Sequence, residues 1–410
     1  MNLLPAGTAI AVFLAFAFTY FFSALLRAIT ATLAPTLTQE FALHSGDLGL
    51  LAGGYFLGFA ATQLPLGTWL DRHGPKRVML SFLGIAVAAC IGFSMATSFG
   101  SLLAARVLGG VGVSACLMAP LTGFRRWLDP TAQLRANSWM LMTGSLGMLA
   151  STLPVQWLMP VVGWRPLFWG LAALIAVSMG VIALLVPPWH RGPAEAGARP
   201  GSYIEVWKDP YFRRMTPIGF FSYGGMIAMQ TLWAGPWLVR VAGYEPLQAA
   251  GGLFTINIAM LATFLTWGVL NPRLAREGLT TNRLIACGLP LNLVVLATII
   301  VAGPYAGAWA WAVFCISCTF VSLAQPAVAM AFPPALAGRA LSAYNLVIFS
   351  GVFVVQWGIG LLIDGFAAAG LDTVNAFRAA MAVFLACSAA SYGYFMLANP
   401  DNRSTATALP

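Results

Sequence analysis

Charge is scarce in this chain. Only 8% of its 410 residues are Asp, Glu, Lys or Arg, against about 25% in an ordinary soluble domain. Water cannot solvate so apolar a surface, so lipid is the solvent for much of it. Acid is scarcer still, with 12 Asp and Glu against 21 Lys and Arg. In a soluble protein that balance would suggest nucleic acid, but no basic stripe with interleaved aromatics occurs and no nucleic-acid partner is expected. The three histidines, His44, His73 and His190, all fall between apolar runs. Cys90, Cys116, Cys287, Cys315, Cys318 and Cys387 lie inside apolar runs, and the CxxC of Cys315 and Cys318 has no His or acid near it. They read as packing residues, not as a metal or redox site. No catalytic pair and no Walker-type phosphate loop is present, so neither an enzyme, a cofactor nor direct use of ATP is implied.

What fills the chain is uncharged sequence. Runs without charge cover 1–26, 48–70, 78–105, 107–124, 136–164, 166–189, 215–239, 246–272, 284–338, 340–363 and 379–400. A spanning helix takes about 20 apolar residues. The run 284–338 holds two helices, divided at Gly303-Pro304-Tyr305-Ala306-Gly307, so the expected count is twelve. Helix 1 continues past Arg27 to about Leu37, and Ser98–Ser101 separates helices 3 and 4. The first run is too long for a cleaved signal peptide and is read as the first span. Barrel strands alternate and are shorter. The fold class is therefore an all-α integral membrane protein.

Lys and Arg set the orientation. With the N-terminus inside, the cytoplasmic segments hold sixteen of the 21: Arg72, Lys76, Arg77, Arg125, Arg126, Arg135, Arg191, Arg199, Lys208, Arg213, Arg214, Arg273, Arg276, Arg283, Arg339 and Arg403. The outer segments hold only Arg165, Arg240 and Arg378. Both termini are expected in the cytoplasm.

The longest polar segment, 188–213, is rich in Pro, Gly and charge, and divides the chain into bundles 1–187 and 214–410. The halves echo one another. Arg135-Ala136-Asn137-Ser138 resembles Arg339-Ala340-Leu341-Ser342, Gly147 matches Gly351 at the same offset, and Phe21-Phe22-Ser23 matches Phe220-Phe221-Ser222. Two six-helix repeats with a midplane site between them are a common transporter plan.

Between helices 2 and 3 stands Gly67-Thr68-Trp69-Leu70-Asp71-Arg72-His73-Gly74-Pro75-Lys76-Arg77. It resembles the signature loop of the major facilitator superfamily. Arg106-Val107-Leu108-Gly109-Gly110-Val111-Gly112 is similar to that family's helix 4 element, and Gly163-Trp164-Arg165 with Phe168 to a common family turn. The resemblance implies a major facilitator fold and a bacterial inner-membrane secondary transporter. It also implies a cytoplasmic gate made by Gly67, Asp71, Arg72, Lys76 and Arg77, although the basic residues serve topology equally well. Helix 5, Gly144 to Pro154, lacks the Gly-Pro pair of the family's drug antiporters, and the second-half loop 268–276 lacks the aspartate.

Ionisable residues inside a span cost at least about 2.5–3.5 kcal/mol on insertion scales and are functional candidates. Arg27 is one. Tyr20, Ser23, Arg27 and Thr30 recur at helical spacing, which places them on one face. A polar stripe on an apolar helix suits a wet cavity; the alternative is an arginine snorkelling to headgroups. Arg106 enters helix 4 and is open to either a cavity or a structural role. None of the twelve carboxylates is mid-span; Asp47 is placed as an N-cap residue and Asp364 near the outer end of helix 11. The path is thus positive and the expected solute is a small organic anion, with a coupling ion if any. In the second half, family analogy selects Gln230, Trp233, Gln325, Tyr344 and Asn345 as cavity wall, against a role as interhelical packing glue. The rival functions are a proton-coupled drug or metabolite efflux antiporter and a transporter-like sensor. A monomer is expected.

Overall fold

The computed structural model describes residues 3–189, 202–277 and 279–398. Residues 190–201 of the expected linker, with Arg191 and Arg199, lie outside that set, as does Arg403. The described residues are almost wholly helical and contain no strand.

Among the described residues nine helices are long and apolar enough to cross a membrane, and a bent pair makes a tenth. Two further spans complete twelve, consistent with the expected count. One is Ser45–Ala61, which continues through a turn at Thr62 into the helix Gln63–Ser94. The other runs 210–240 and is interrupted by two π-helical segments.

The twelve are α1 (Ala6–Phe41), α2 (45–73), α3 (75–94), α4 (Phe99–Trp127), α5 (130–162), α6 (Trp164–Leu185), α7 (210–240), α8 (Pro246–Arg276), α9 (Thr281–Ala302), α10 (Ala308–Met330), α11 (Pro334–Ala368) and α12 (Thr373–Leu397). α1 outruns its expected end by four residues, since Pro35 is accommodated within it. The expected break at Ser98–Ser101 is a capping box. The break in 284–338 is a 3₁₀ turn, Gly303–Tyr305, opened by Gly303 at φ 55°.

Three irregularities interrupt the helices, and the first has its cause in local chemistry. α5 bends by 43° between Ala150 and Leu153. There the Ser151 and Thr152 hydroxyls turn back on the Met148 and Leu149 carbonyls, just before Pro154. The Ser151 carbonyl leaves the helical pattern and accepts from Thr32 Oγ1 of α1 at 2.7 Å, so no bare acceptor faces lipid. α7 carries π segments at Ile218–Tyr223 and Met229–Trp233. α10 tightens to 3₁₀ at Thr319–Leu323.

The chain divides into two compact units: Met1–Ala42 with Gly54–Arg199, and Leu43–Gly53 with Pro200–Pro410. α2 thus contributes to both. Within each unit size, not polarity, sorts the helix faces, because lipid and core are equally apolar. Val161, Leu184 and Trp309 point outward, exposed by 84%, 85% and 75%. Glycines mark the close crossings. In the first unit a Cβ on Gly147 would collide with the Phe21 carbonyl, joining α5 to α1. In the second, a Cβ on Gly351 would collide with the Phe220 carbonyl, joining α11 to α7. The two contacts use the residues that the sequence echo pairs.

Candidate functional site

The first unit gathers Tyr20, Ser23 and Arg27 of α1, Tyr55 and Phe59 of α2, and Arg106 and Cys116 of α4 around one locus. Backbone approach builds it. A Cβ on Gly58 would strike the Val107 carbonyl and one on Gly110 the Tyr55 carbonyl, so α2 and α4 cross almost backbone to backbone. One on Gly112 would strike Ala86 of α3. The Arg106-to-Gly112 element therefore works as a packing surface that delivers Arg106 to Tyr55. Gly144 of α5 leaves the space filled by the Tyr20 ring.

Arg106 is buried, donates from Nη1 to the Leu26 carbonyl at 3.0 Å, and stacks over Tyr55 at 5.0 Å from the ring centroid. Its Nε and Nη2 are buried without a hydrogen-bond partner. Arg106 lines a small cavity, roomy enough for about one water, together with Leu26, Tyr55, Cys90, Phe93 and Phe168. Arg27 is half-buried, with its guanidinium 5.6 Å from the Phe59 centroid and beside the Tyr20 and Tyr55 hydroxyls, close enough for side-chain hydrogen bonding. Tyr55 Oη also donates to the Ser23 carbonyl at 3.3 Å. Ser23 lies beside the Cys116 thiol, and Thr30 is buried farther along the same stripe. No Asp or Glu occurs in 6–39, 48–70 or 99–127, so two guanidiniums and two phenols meet where the helices carry no acid. Chemically this is a set of donors suited to an oxyanion.

The second-half candidates do not come together in one cluster. Gln230 donates to Asn257 Oδ1 at 3.0 Å, bridging α7 and α8. Gln325 donates to Asn345 Oδ1, bridging α10 and α11. Trp233, fully buried, donates to the Gln356 carbonyl at 3.0 Å, and Gln356 in turn donates to Thr231 Oγ1 at 2.9 Å. Tyr344, also fully buried, donates to the Met215 carbonyl at 3.2 Å. Each is bonded across helices in the manner of packing glue.

Of the expected gate, Asp71, Arg72 and Arg77 are exposed, and Gly67 and Lys76 half-buried. Gly74 supplies the turn at φ 76°, a conformation that favours glycine. Trp189 lies directly on it, and Arg126 sits 4.5 Å from a Trp189 ring centroid. At the opposite end of the bundle, Trp164 Nε1 donates to Glu40 at 2.7 Å and Arg165 pairs with the same carboxylate, while Phe168 stacks on Phe93. The family-like turn is thus a clamp on the end of α1. Tyr55, Phe59 and Cys116 are absent from the expected set. The signal that finds Tyr55 is the Gly54-x-x-x-Gly58 spacing, which marks a close helix crossing.

The sequence model of the Major Facilitator Superfamily matches residues 16–356. The chain belongs to that superfamily. A 4-hydroxybenzoate transporter, PcaK, of Acinetobacter baylyi is 26% identical over 310 residues, covering 65% of this chain and 65% of the relative. A multidrug resistance protein, MdtL, of Escherichia coli O6:K15:H31 is 26% identical over 252 residues, covering 58% of this chain and 62% of the relative. Each match spans less than two thirds of the relative's length. A crystal structure of a bacterial homolog to the human lysosomal transporter Spinster, inward-facing and unoccupied, superposes with a TM-score of 0.76 at 16% identity, covering 96% of this chain and 98% of that one. That likeness shows the major facilitator fold.

Proposed function

We propose that this superfamily member is a secondary transporter of a small organic anion, working by alternating access of bundles 1–187 and 214–410, joined by 188–213. The observation that carries the reading is the first-unit cluster: Arg27 and Arg106 with the Tyr20 and Tyr55 hydroxyls, on helix segments without acid. A guanidinium pairs a carboxylate through two parallel donors, which an ammonium cannot do. Ser23 and Thr30 extend the same polar stripe. Similarity to a relative named for an aromatic carboxylate, 4-hydroxybenzoate, supports the charge of the solute. Gly67, Asp71, Arg72, Lys76 and Arg77 form the cytoplasmic gate, with Gly74 seated under Trp189 as its fixed point. The protein lies in the bacterial inner membrane with both termini in the cytoplasm.

The test is uptake into proteoliposomes against a panel of aromatic and aliphatic carboxylates, beginning with 4-hydroxybenzoate. Arg27→Ala is expected to lower uptake about tenfold or more, as loss of a hydrogen bond to a charged group does. Arg27→Lys should recover part of it, keeping the charge without the paired donors. Uptake indifferent to Arg27→Ala, with organic cations competing better than anions, overturns the anion.

The similarity to a multidrug resistance protein favours a second reading, proton-coupled efflux. Helix 5 argues against it, because Gly144-Ser145-Leu146-Gly147 is not followed by a Gly-Pro pair. Solute-driven flux also separates transport from a sensor role.

A further inference from the structure

In the second unit, the end of α2 remote from the signature loop is held by a carboxylate. Asp364 of α11 accepts from the backbone N–H of Ser45 at 3.0 Å and of Gly46 at 2.6 Å. The first N–H groups of a helix have no partner inside it and carry positive partial charge. An ionised carboxylate placed there makes charge-assisted hydrogen bonds. Asp47 is engaged elsewhere, accepting from His44 N–H at 3.0 Å and lying 3.5 Å from His44 Nδ1. Arg240, at the end of α7, reaches Ser45 Oγ at 3.4 Å and stands within the field of Asp364.

Behind this cap runs a glycine seam. A Cβ on Gly49 would collide with the Gln356 carbonyl, and one on Gly360 with the Ser45 carbonyl. One on Gly53 would lie 3.0 Å from the Phe353 ring. Such a seam gives close contact without a directional bond, so Asp364 supplies the directional part of the hold. The segment Leu43–Gly53 belongs to this unit, while α2 from Gly54 onward belongs to the other. The change falls between two adjacent glycines, where helices bend most readily.

We propose that Asp364 is a latch. Its carboxylate keeps residues 45–53 of α2 seated on α11, and letting go frees that segment to swing about Gly53-Gly54 during the transport cycle. The role rests on the proposed alternating access, but its test needs no solute. Ser45 is 4% exposed, so a Ser45→Cys thiol reports the seated state. Its reaction with a maleimide is followed in the purified, detergent-solubilised protein by mass spectrometry of the labelled peptide. The Ser45→Cys parent should label slowly but measurably while remaining folded and monodisperse. Asp364→Ala should raise the rate about tenfold or more, the usual consequence of losing hydrogen bonds to a charged acceptor. Asp364→Asn, which keeps the volume and one acceptor oxygen, should raise it less. Gly360→Ala presses on the Ser45 carbonyl with Asp364 intact and should also raise it; this variant decides the matter if Asp364→Ala does not fold. A parent that never labels overturns the latch in favour of a fixed cap, and equal rates in all variants overturn it as well. Missing uptake counts against the transport reading alone.

Discussion

Arg106 spends little of its hydrogen-bonding capacity on the protein. One nitrogen donates to Leu26, while buried Nε and Nη2 donate to nothing among the described residues. A buried charge so poorly compensated is a weak structural element, and an apolar residue of similar length often fits such a place at no cost. Arg106→Met should therefore leave the melting temperature in detergent unchanged or higher, while uptake of the anionic solute falls about tenfold or more. A melting temperature lowered by more than about 2 °C, on the order of 1–2 kcal/mol for a chain of this length, would assign Arg106 to packing instead. Arg27 and its stripe were legible in the sequence because a charge at helical spacing from Tyr20, Ser23 and Thr30 stands out on an apolar helix. Tyr55 was not. Its run is almost wholly apolar, and although Gly54-x-x-x-Gly58 marks a close crossing, Tyr55's place beside Arg106 depends on where Gly58 and Gly110 let two helices cross. The second-half residues were equally hard to sort, since Gln230 or Gln325 has the same composition signal whether it faces a cavity or another amide.

At the scale of helices, the glycine contacts separate positions that look alike in sequence. Gly147→Ala and Gly351→Ala each push a methyl into a facing carbonyl, at Phe21 and Phe220, and each should cost about 1–3 kcal/mol by overpacking. Gly170→Ala meets nothing within 4 Å and should be neutral or slightly stabilising, since alanine is the better helix former. Thermal unfolding of the three purified variants checks the ranking. Equal losses would show that close approach is not what these glycines provide. Helix count and most boundaries could be read from uncharged runs because lipid imposes length and apolarity directly. The bend in α5 had a signal in Pro154, preceded by Ser151 and Thr152. The π segment Met229–Trp233 of α7 had none, since it carries no Gly, Pro or charge that marks a break in α bonding.

For the molecule as a whole, the distribution of Lys and Arg predicts a side. Asn375 and Thr280 are both exposed, at the ends of α12 and α9. In intact cells an impermeant maleimide should label Asn375→Cys, and should label Thr280→Cys only after permeabilisation. The opposite pattern would invert the assigned orientation. A polar segment and three short echoes suggest bundles 1–187 and 214–410, but they carry no signal that Leu43–Gly53 groups with the second unit. Residues 45–53 are grouped with the second unit through Asp364 and a glycine seam, contacts between positions 300 or more apart in the chain.

The π segments of α7 also bear on how the halves diverged. A π turn holds one residue more than the α turn it replaces, and absorbs it without rotating the helix beyond. α1, its counterpart, runs as α-helix from Ala6 to Phe41. A π turn at Met229–Trp233, where α1 has none, is the form that a one-residue insertion into one of two repeats would take. Deleting one residue there should restore α-helical bonding across that segment with Ala234–Arg240 in register, and the transport of the shortened chain would measure what the extra residue is worth.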